Sequence, residues 1–258
     1  MKLDTGRRSK RLGMSQIGEE CKRRIWYGFR WANPEGKLPA RIKRLFGDGD
    51  RAEGTVIEAL LQIGITVTDR QKGFSGFAGH AYGYIDGIAH GVIEAPKTPH
   101  LLEVKSMKNK LYQKLLKYGI KKTYPKHYAQ CQRYMKANNL ERTIYCAYNK
   151  DDSSIHVIRI KANKSFQRDA LRLEMEIILA EEPPERRWEN DQNYNCRFCP
   201  HIDTCWHGTG AQKNCRTCKF IDLEDDGKWS CTFGIGDVEL SHKFMMKGCE
   251  NYSQIEDI

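Results

Sequence analysis

The sequence contains no stretch of eighteen apolar residues, so it predicts no transmembrane helix. Its N-terminal stretch, MKLDTGRRSKRLGM, lacks the hydrophobic segment that a signal peptide needs. No internal repeat is present. These absences predict an intracellular, cytoplasmic protein. Its 258 residues, of which 40% are hydrophobic, are enough for one large α/β domain or for one domain with a small appendage.

Acidic residues are absent from residues 105–126, which carry eight lysines within a chain of net charge +10. Residues 41–44 and 7–11 form two smaller basic patches. Such patches suit a polyanion, most commonly nucleic acid, although a solvated lysine-rich face is the alternative interpretation. Three tyrosines lie among the lysines and could stack on unpaired bases or belong to the core: Tyr112, Tyr118 and Tyr124. The lysines predicted to bind DNA are Lys108, Lys110, Lys114, Lys117, Lys121 and Lys122.

Residues 83–105 predict a β-hairpin, because two apolar runs at 84–88 and 101–104 flank a proline-containing turn. Side chains alternate between the faces of a strand, so Glu103 and Lys105 point to the same side, where Asp86 of the neighbouring strand can join them. Two carboxylates and an ammonium group on one patch of sheet suit metal-assisted phosphodiester hydrolysis.

In this interpretation Asp86 and Glu103 hold Mg²⁺ or Mn²⁺, with the Val104 carbonyl as a further oxygen ligand. Lys105 would orient the attacking water or stabilise the transition state. A helix predicted over residues 50–63 offers Glu53 as another carboxylate, with Glu58 as its competitor. The alternative is that Glu103 and Lys105 form an ordinary exposed ion pair on a strand.

Asp86 with Glu103-Val104-Lys105 resembles the D…E-x-K core of the PD-(D/E)XK nuclease superfamily. Gln130 and Tyr134, on a helix predicted to begin at Pro125, resemble the Q-x-x-x-Y motif of RecB-type nucleases, and residues 49–53 resemble the helix motif upstream of the core. The resemblance implies a restriction-endonuclease-like α/β fold, with a mixed sheet flanked by helices. It also implies a DNA exonuclease of recombination or end processing, in a phage or CRISPR-linked setting, with Gln130 and Tyr134 as positioning residues.

Eight of the ten cysteines lie near the two ends of the chain, and in a cytosolic protein they point to metal rather than disulfides. Cys21 before the core and Cys196, Cys199 and Cys205 after it resemble the iron–sulfur staple of AddB and of CRISPR-associated RecB-like exonucleases. The resemblance implies a [4Fe–4S] cluster, while the same four cysteines could instead hold zinc. His201 and His207 lie nearby and could be ligands or surface residues.

The C-terminal tail carries a second set, Cys215-x2-Cys218-x12-Cys231, which predicts a zinc ribbon or knuckle. Cys249 is the preferred fourth ligand and His242 the second choice. The predicted domains are therefore a nuclease core with its iron–sulfur staple over residues 1–206, and a cysteine-rich zinc-binding tail over residues 207–258. Cys131 and Cys146, in the middle of the chain, are predicted to be buried thiols.

The predicted function is a Mg²⁺- or Mn²⁺-dependent DNA exonuclease, with single- or double-stranded DNA ends as its substrate. Two alternatives stay open: a structure-specific or single-strand endonuclease, and a non-catalytic DNA-binding protein. A recombination or CRISPR-linked protein is the expected partner.

Overall fold

A computed structural model of the chain describes residues 9–34, 39–209, 211–233 and 239–258, so the basic residues Arg7 and Arg8 lie outside the described residues. The helices are α1 (Lys22–Phe29), α2 (Ala40–Gln62), α3 (Asn109–Thr123), α4 (Pro125–Ala137), α5 (Lys164–Leu179), α6 (Tyr194–Arg197), α7 (Ile202–Trp206) and α8 (His242–Lys247). The strands are β1 (Leu12–Gly13), β2 (Thr66–Thr68), β3 (Gly73–Ser75), β4 (Ala81–Tyr84), β5 (Gly87–His90), β6 (His100–Met107), β7 (Arg142–Asn149), β8 (Ile155–Lys161), β9 (Ile221–Leu223) and β10 (Trp229–Cys231).

The described residues fall into two compact units, neither of which is continuous in sequence. We name them the sheet unit, drawn from Leu38–Phe74 and Gly83–Leu171, and the cysteine-rich unit, drawn from Met1–Lys37, Ser75–Tyr82 and Arg172–Ile258. The compact units therefore divide elsewhere than at the predicted domain boundary after residue 206. Residues near both chain ends contribute to the cysteine-rich unit, because the side chain of Arg216 donates to the carbonyl of Phe29.

The sheet unit is built on five strands in the order β2-β5-β6-β7-β8. β6 and β7 run parallel, and the three other pairings are antiparallel. A parallel pair needs a long crossover connection, which α3 and α4 provide between β6 and β7. The sheet is thus mixed, as predicted.

Helix α2 covers one face of this sheet with an apolar stripe. Val56, Ile57 and Leu60 pack in one buried cluster with Leu102 and Val104 of β6. Because side chains alternate along a strand, Glu103 and Lys105 project to the opposite face. Gln130 of α4 meets Glu103 there, so helices flank both faces of the sheet and the predicted α/β class is confirmed.

The cysteine-rich unit is assembled from short elements. β1 pairs with the start of β4 in parallel, and β9 pairs with β10 in an antiparallel ribbon. Its buried side chains include Trp26, Trp31 and Trp229, each at most 3% exposed. Among the residues that the structure describes, no helix combines the length and apolar character needed to cross a bilayer.

Several predicted elements have different bounds in the structure. Residues 15–31, whose apolar residues recur at intervals of four, do not form one continuous helix: a 3-10 turn, Met14–Gln16, is followed by α1, and Cys21 precedes α1 with extended backbone. Conversely, α2 begins at Ala40 and continues through Gly47 and Gly49, since two glycines cost a long helix only about 1 kcal/mol each.

The first strand of the predicted hairpin is also corrected. Residues 84–88 do not form one strand: β4 ends at Tyr84, β5 starts at Gly87, and Asp86 lies between them. The glycine-rich stretch 71–81 contains β3 and the first residue of β4. The second strand is longer than predicted, extending from His100 to Met107.

Candidate active site

The structure brings the predicted catalytic residues together in the sheet unit, centred on Glu103. This carboxylate is fully buried, and its Oε1 accepts hydrogen bonds from Lys105 Nζ and, at 2.7 Å, from Gln130 Nε2. The Lys105 contact confirms that the two side chains share one face of β6. Oε2 of Glu103 is buried and has no hydrogen-bond partner within the described part of the chain.

Asp86 is fixed beside Glu103 by the backbone of β6. Its Oδ2 accepts a hydrogen bond of 2.7 Å from the amide of Val104. Burial raises the pKa of Asp86, while the ammonium of Lys105 and the Val104 amide act in the opposite direction. The break between β4 and β5 therefore places this carboxylate against β6.

Glu53, rather than Glu58, is the carboxylate of α2 that belongs to this site. Glu53 is only partly exposed, and burial followed by the charge of Asp86 raises its pKa. Gln71 Nε2 donates to both of its oxygens, at 3.2 and 3.0 Å. Glu58 is exposed.

The electrostatics of the site are dominated by charges held away from water. Burial raises the pKa of Glu103 from its usual value to about 7, with Lys105 opposing the rise. Burial alone would lower the pKa of Lys105, but the charges of Glu103 and Asp86 outweigh burial and raise it. Lys105 is thus held as a cation at neutral pH, and Glu103 can change its charge near neutrality.

Tyr134 lies one turn beyond Gln130 on α4 and is 4% exposed. Burial, and then the charge of Glu103, raises its pKa, so it stays a neutral phenol. Its ring packs edge-on against Phe74, with centroids 4.9 Å apart. A Cβ atom at Gly83 would lie 2.7 Å from Phe74 and 3.0 Å from Tyr134, so the glycine lets the two rings meet.

One observation supports a divalent metal ion at this donor set. Oε2 of Glu103 is buried with no hydrogen-bond partner in the described residues, while Oε1 accepts a hydrogen bond from Gln130. Carboxylate and carbonyl oxygens are the ligands that Mg²⁺ and Mn²⁺ prefer. As the side chains stand, no three or more His, Cys, Asp or Glu residues within the described ranges form a group that could hold a metal ion. Asp86, Glu103, Glu53 and the Val104 carbonyl therefore stay predicted ligands.

The first cysteine set converges in the cysteine-rich unit. Cys21, Cys196, Cys199 and Cys205 all line one cavity. Burial raises the pKa of Cys196 and Cys199. Four thiolates suit an iron–sulfur cluster and a zinc ion alike.

The two histidines near this set have other partners. His201 lines the cavity, but its Nδ1 is hydrogen-bonded to Asn33 Oδ1. His207 is exposed and contacts Asp191 and Asp203, at 3.1 and 3.2 Å. His207 thus matches the predicted surface histidine.

The second cysteine set also converges, around another cavity of the cysteine-rich unit. Cys215, Cys218, Cys231 and Cys249 line it, and His242 does not. The ring of His242 packs edge-on against Trp31 instead, with centroids 5.1 Å apart. The structure thus groups Cys249 with the three other thiols.

The lysines predicted to bind DNA lie on or beside α3, and all six are exposed. Helix α3 is interrupted at Gly119, whose φ of +72° is left-handed, so Lys121 and Lys122 follow the break. Tyr118 is 46% exposed, with Lys117 and Lys122 over its ring. Tyr112 is buried and cannot stack on a base, whereas Tyr124 is partly exposed and stacks on His127.

Sequence reasoning missed three residues that shape the sites. Gln71 holds Glu53 from the connection between β2 and β3, where a lone glutamine carries no pattern. Phe74 supports Tyr134. Trp206 donates to the thiol of Cys196, which lowers the pKa of that thiol against the effect of burial. The two buried cysteines of the sheet unit, Cys131 and Cys146, are each 0% exposed, where they were expected.

No family model and no curated protein matches this sequence. Among solved structures, the chain is similar to an alkaline exonuclease (LHK-Exo) from Laribacter hongkongensis, at 14% identity and a TM-score of 0.48, over 66% of this chain and 87% of that one. It is also similar to LHK-Exo in complex with dAMP, at 15% identity and a TM-score of 0.49, over 67% and 88% of the two chains. A phage-related exonuclease from Haemophilus somnus 129PT gives 10% identity and a TM-score of 0.45, over 65% and 91%. All three TM-scores are below 0.5, so the functional proposal rests on the residues of the site itself.

Proposed function

We propose that the protein is a Mg²⁺- or Mn²⁺-dependent deoxyribonuclease that hydrolyses phosphodiester bonds. The observation that carries the proposal is the asymmetric Glu103: one oxygen is held by Lys105 and Gln130, and the other is buried with no partner among the described residues. Desolvating a carboxylate and leaving one oxygen unpaired is costly. Such a cost is typical of a group that is kept for a ligand.

Asp86, Glu103 and Glu53 would hold the metal together with the Val104 carbonyl. The bound metal would lower the pKa of its water and offset the charge of the phosphate. Lys105, whose pKa is raised, stays protonated and therefore acts as a hydrogen-bond donor and fixed cation rather than as a general base. It can orient the attacking water or neutralise a phosphate oxygen in the transition state.

Other residues of the sheet unit position these groups. Gln130 holds Glu103 through Oε1, and Gln71 holds Glu53 through both oxygens. Tyr134, one turn beyond Gln130, packs as a neutral ring beside Phe74. The exposed lysines on α3 would bind phosphates without reading base sequence, and Tyr118 could stack on an unpaired base.

The preference for DNA ends, and a role in recombination or end processing, rest on the resemblance to RecB-type nucleases. A phage or CRISPR-linked setting and a protein partner from that setting have the same basis. All ten cysteines are free thiols, which suits a reducing cytoplasm.

The test is digestion of end-labelled linear DNA with Mg²⁺ or Mn²⁺ by the wild type, Asp86→Ala and Lys105→Ala. We expect both variants to lose activity, by about 10²-fold or more. Glu53→Gln should lose activity while Glu58→Gln, its matched exposed neighbour, should not. Equal activity in wild type, Asp86→Ala and Lys105→Ala would reject this assignment of the site. DNA binding without metal-dependent cleavage by the wild type would favour the non-catalytic DNA-binding protein.

The same assay separates the two nuclease alternatives. A covalently closed DNA circle has no ends, so an exonuclease leaves it intact. Cleavage of the circle at a rate comparable with that of linear DNA would assign an endonuclease instead.

We also propose that Cys21, Cys196, Cys199 and Cys205 hold a [4Fe–4S] cluster. Their convergence on one cavity and the suitability of four thiolates support it, while the choice of iron–sulfur over zinc comes from the resemblance. Protein purified without oxygen should be brown, with broad visible absorbance. A colourless preparation carrying only zinc would reject the cluster.

A further inference from the structure

We propose that Cys215, Cys218, Cys231 and Cys249 form a structural zinc site that fixes Arg216 in the core of the cysteine-rich unit. The proposal goes beyond the nuclease function, since neither the carboxylate site nor the first cysteine set uses these residues. Four cysteines are a common ligand set of structural zinc sites.

The first two thiols lie on a turn whose shape is set by its own hydrogen bonds. The amide of Cys218 donates to the Cys215 carbonyl at 3.1 Å, closing the 3-10 turn. Asn214 caps that turn, accepting from the Arg216 amide at 2.9 Å. Cys215 and Cys218 are 8% and 7% exposed, so the turn presents two nearly buried thiols to one cavity.

The other two thiols arrive from separate elements. Cys231 ends β10, where it pairs with Ile221 of β9. Cys249 follows Gly248, which ends α8 with a left-handed φ of +67° that favours glycine. Three distant stretches of sequence therefore supply four free thiols to one cavity of about 300 Å³.

The environment of these thiols suits a structural metal better than a reactive cysteine. Their cavity is lined by the aromatic side chains of Phe220, Phe233, Phe244 and Tyr252. The surrounding elements are very short: β9 and β10 have three residues each and α8 has six. Elements of this length bury little apolar surface, and small modules of this kind usually need a metal or a disulfide for stability.

Arg216, within the same turn, connects the proposed zinc site to the core of the cysteine-rich unit. It is 1% exposed, and its guanidinium carbon lies 3.8 Å from the ring centroid of Trp31 and 4.6 Å from that of Trp229. Its terminal nitrogens donate to the carbonyls of Phe29, at 2.9 Å, and Lys10. A metal at Cys215 and Cys218 would fix the turn and thereby hold this buried cation against the N-terminal segment.

The thiols form no ready-made metal group as they stand within the described residues, so the decisive test is metal binding itself. We would measure zinc and iron per chain by elemental mass spectrometry in full-length protein, comparing wild type with Cys249→Ser, His242→Ala and Cys131→Ser. Cys131→Ser is the matched control, because Cys131 is a buried thiol of the sheet unit. We expect Cys249→Ser to lose about one zinc per chain, and the two other variants to retain it.

A second measurement covers the case in which Cys249→Ser does not fold. Chelator-treated wild-type protein would be titrated with Zn²⁺ and followed by tryptophan fluorescence, since all five tryptophans belong to the cysteine-rich unit. We expect a saturable change at one equivalent. Four results would each overturn the proposal: wild-type protein that contains no zinc, zinc retained in Cys249→Ser, zinc lost from His242→Ala, or a loss of iron instead of zinc in Cys249→Ser. None of these readouts depends on nuclease activity.

Discussion

The sheet unit and the cysteine-rich unit hold their sites by different means. In the sheet unit, a five-stranded ladder and a buried apolar cluster fix β6, and β6 in turn places Glu103 and Lys105. In the cysteine-rich unit, most strands have two or three residues, and buried side chains such as Arg216 reach distant carbonyls. Regular backbone pairing therefore supports one site, and side-chain contacts support the other.

The two units should therefore respond differently to substitutions in their sites. A site placed by a packed sheet can carry unfavourable buried charge, because the surrounding fold is stable without it. A site that is held by side-chain contacts depends on each contact, because few other interactions stabilise it.

Glu103→Gln should separate chemistry from folding in the sheet unit. We expect cleavage of linear DNA to fall by about 10² to 10³-fold, since the ionised ligand is lost, while the thermal midpoint stays equal to or above that of the wild type. Cleavage rates and thermal unfolding of the same preparations check both halves. Glu141→Gln, which removes an exposed carboxylate paired with Lys164, is the control and should change neither.

Arg216→Ala should destabilise the cysteine-rich unit by about 3 kcal/mol or more. The change leaves a cavity between two tryptophan rings and removes the donors to the carbonyls of Phe29 and Lys10. Denaturant unfolding followed by tryptophan fluorescence measures the effect. Arg187→Ala, at an exposed position of the same unit, should change the free energy of unfolding by less than about 0.5 kcal/mol. Equal changes in the free energy of unfolding for the two variants would show that the contacts of Arg216 do not stabilise the unit.

Metal binding to the carboxylate site should depend on pH through Glu103. Burial raises its pKa to about 7, and the metal needs the ionised form, so the apparent affinity for Mn²⁺ should fall about tenfold per pH unit below that value. In metal-free protein the same shift acts on stability: the native state holds the proton more tightly than the unfolded chain, so stability is lost as pH rises through about 7.

Calorimetric titration with Mn²⁺ one pH unit below and one above that pKa measures the binding effect, and thermal unfolding with a chelator measures the stability effect. Glu103→Gln should flatten the stability profile over this range. A wild-type affinity that is constant across both pH values would contradict the role assigned to Glu103.

Lys114→Ala should have the smallest effect, because the lysine is exposed and would contact only phosphate. We expect a uniform weakening of DNA binding and a decrease of about 1 in the slope of log affinity against log salt concentration. Fluorescence anisotropy at several salt concentrations measures it. Lys161→Ala, an exposed lysine on β8, is the control. An unchanged slope for Lys114→Ala would remove α3 from the DNA-binding surface.

The sequence predicted which side chains share a face better than it predicted the bounds of the elements that carry them. The period of two along β6 was enough to place Glu103 and Lys105 on one face, and the spacing of four was enough to align Gln130 with Tyr134 on α4. Asp86 was expected within a strand, yet it lies in the break between β4 and β5. Local patterns could not show that break, because its partner, the Val104 amide, is eighteen residues away.

Residue types and their spacing were enough to show the chemistry available to this protein: the carboxylates and lysine of the core, the basic stretch of α3 and the two cysteine sets. The folded structure was needed to decide between competing candidate residues. It placed Glu53 beside Asp86 and left Glu58 exposed, and it grouped Cys249 with three thiols while His242 packed on Trp31. It also buried Tyr112 and exposed Tyr118. The physical reason is that residue type and spacing fix local direction along a helix or strand, whereas burial and neighbours depend on packing between segments far apart in the chain.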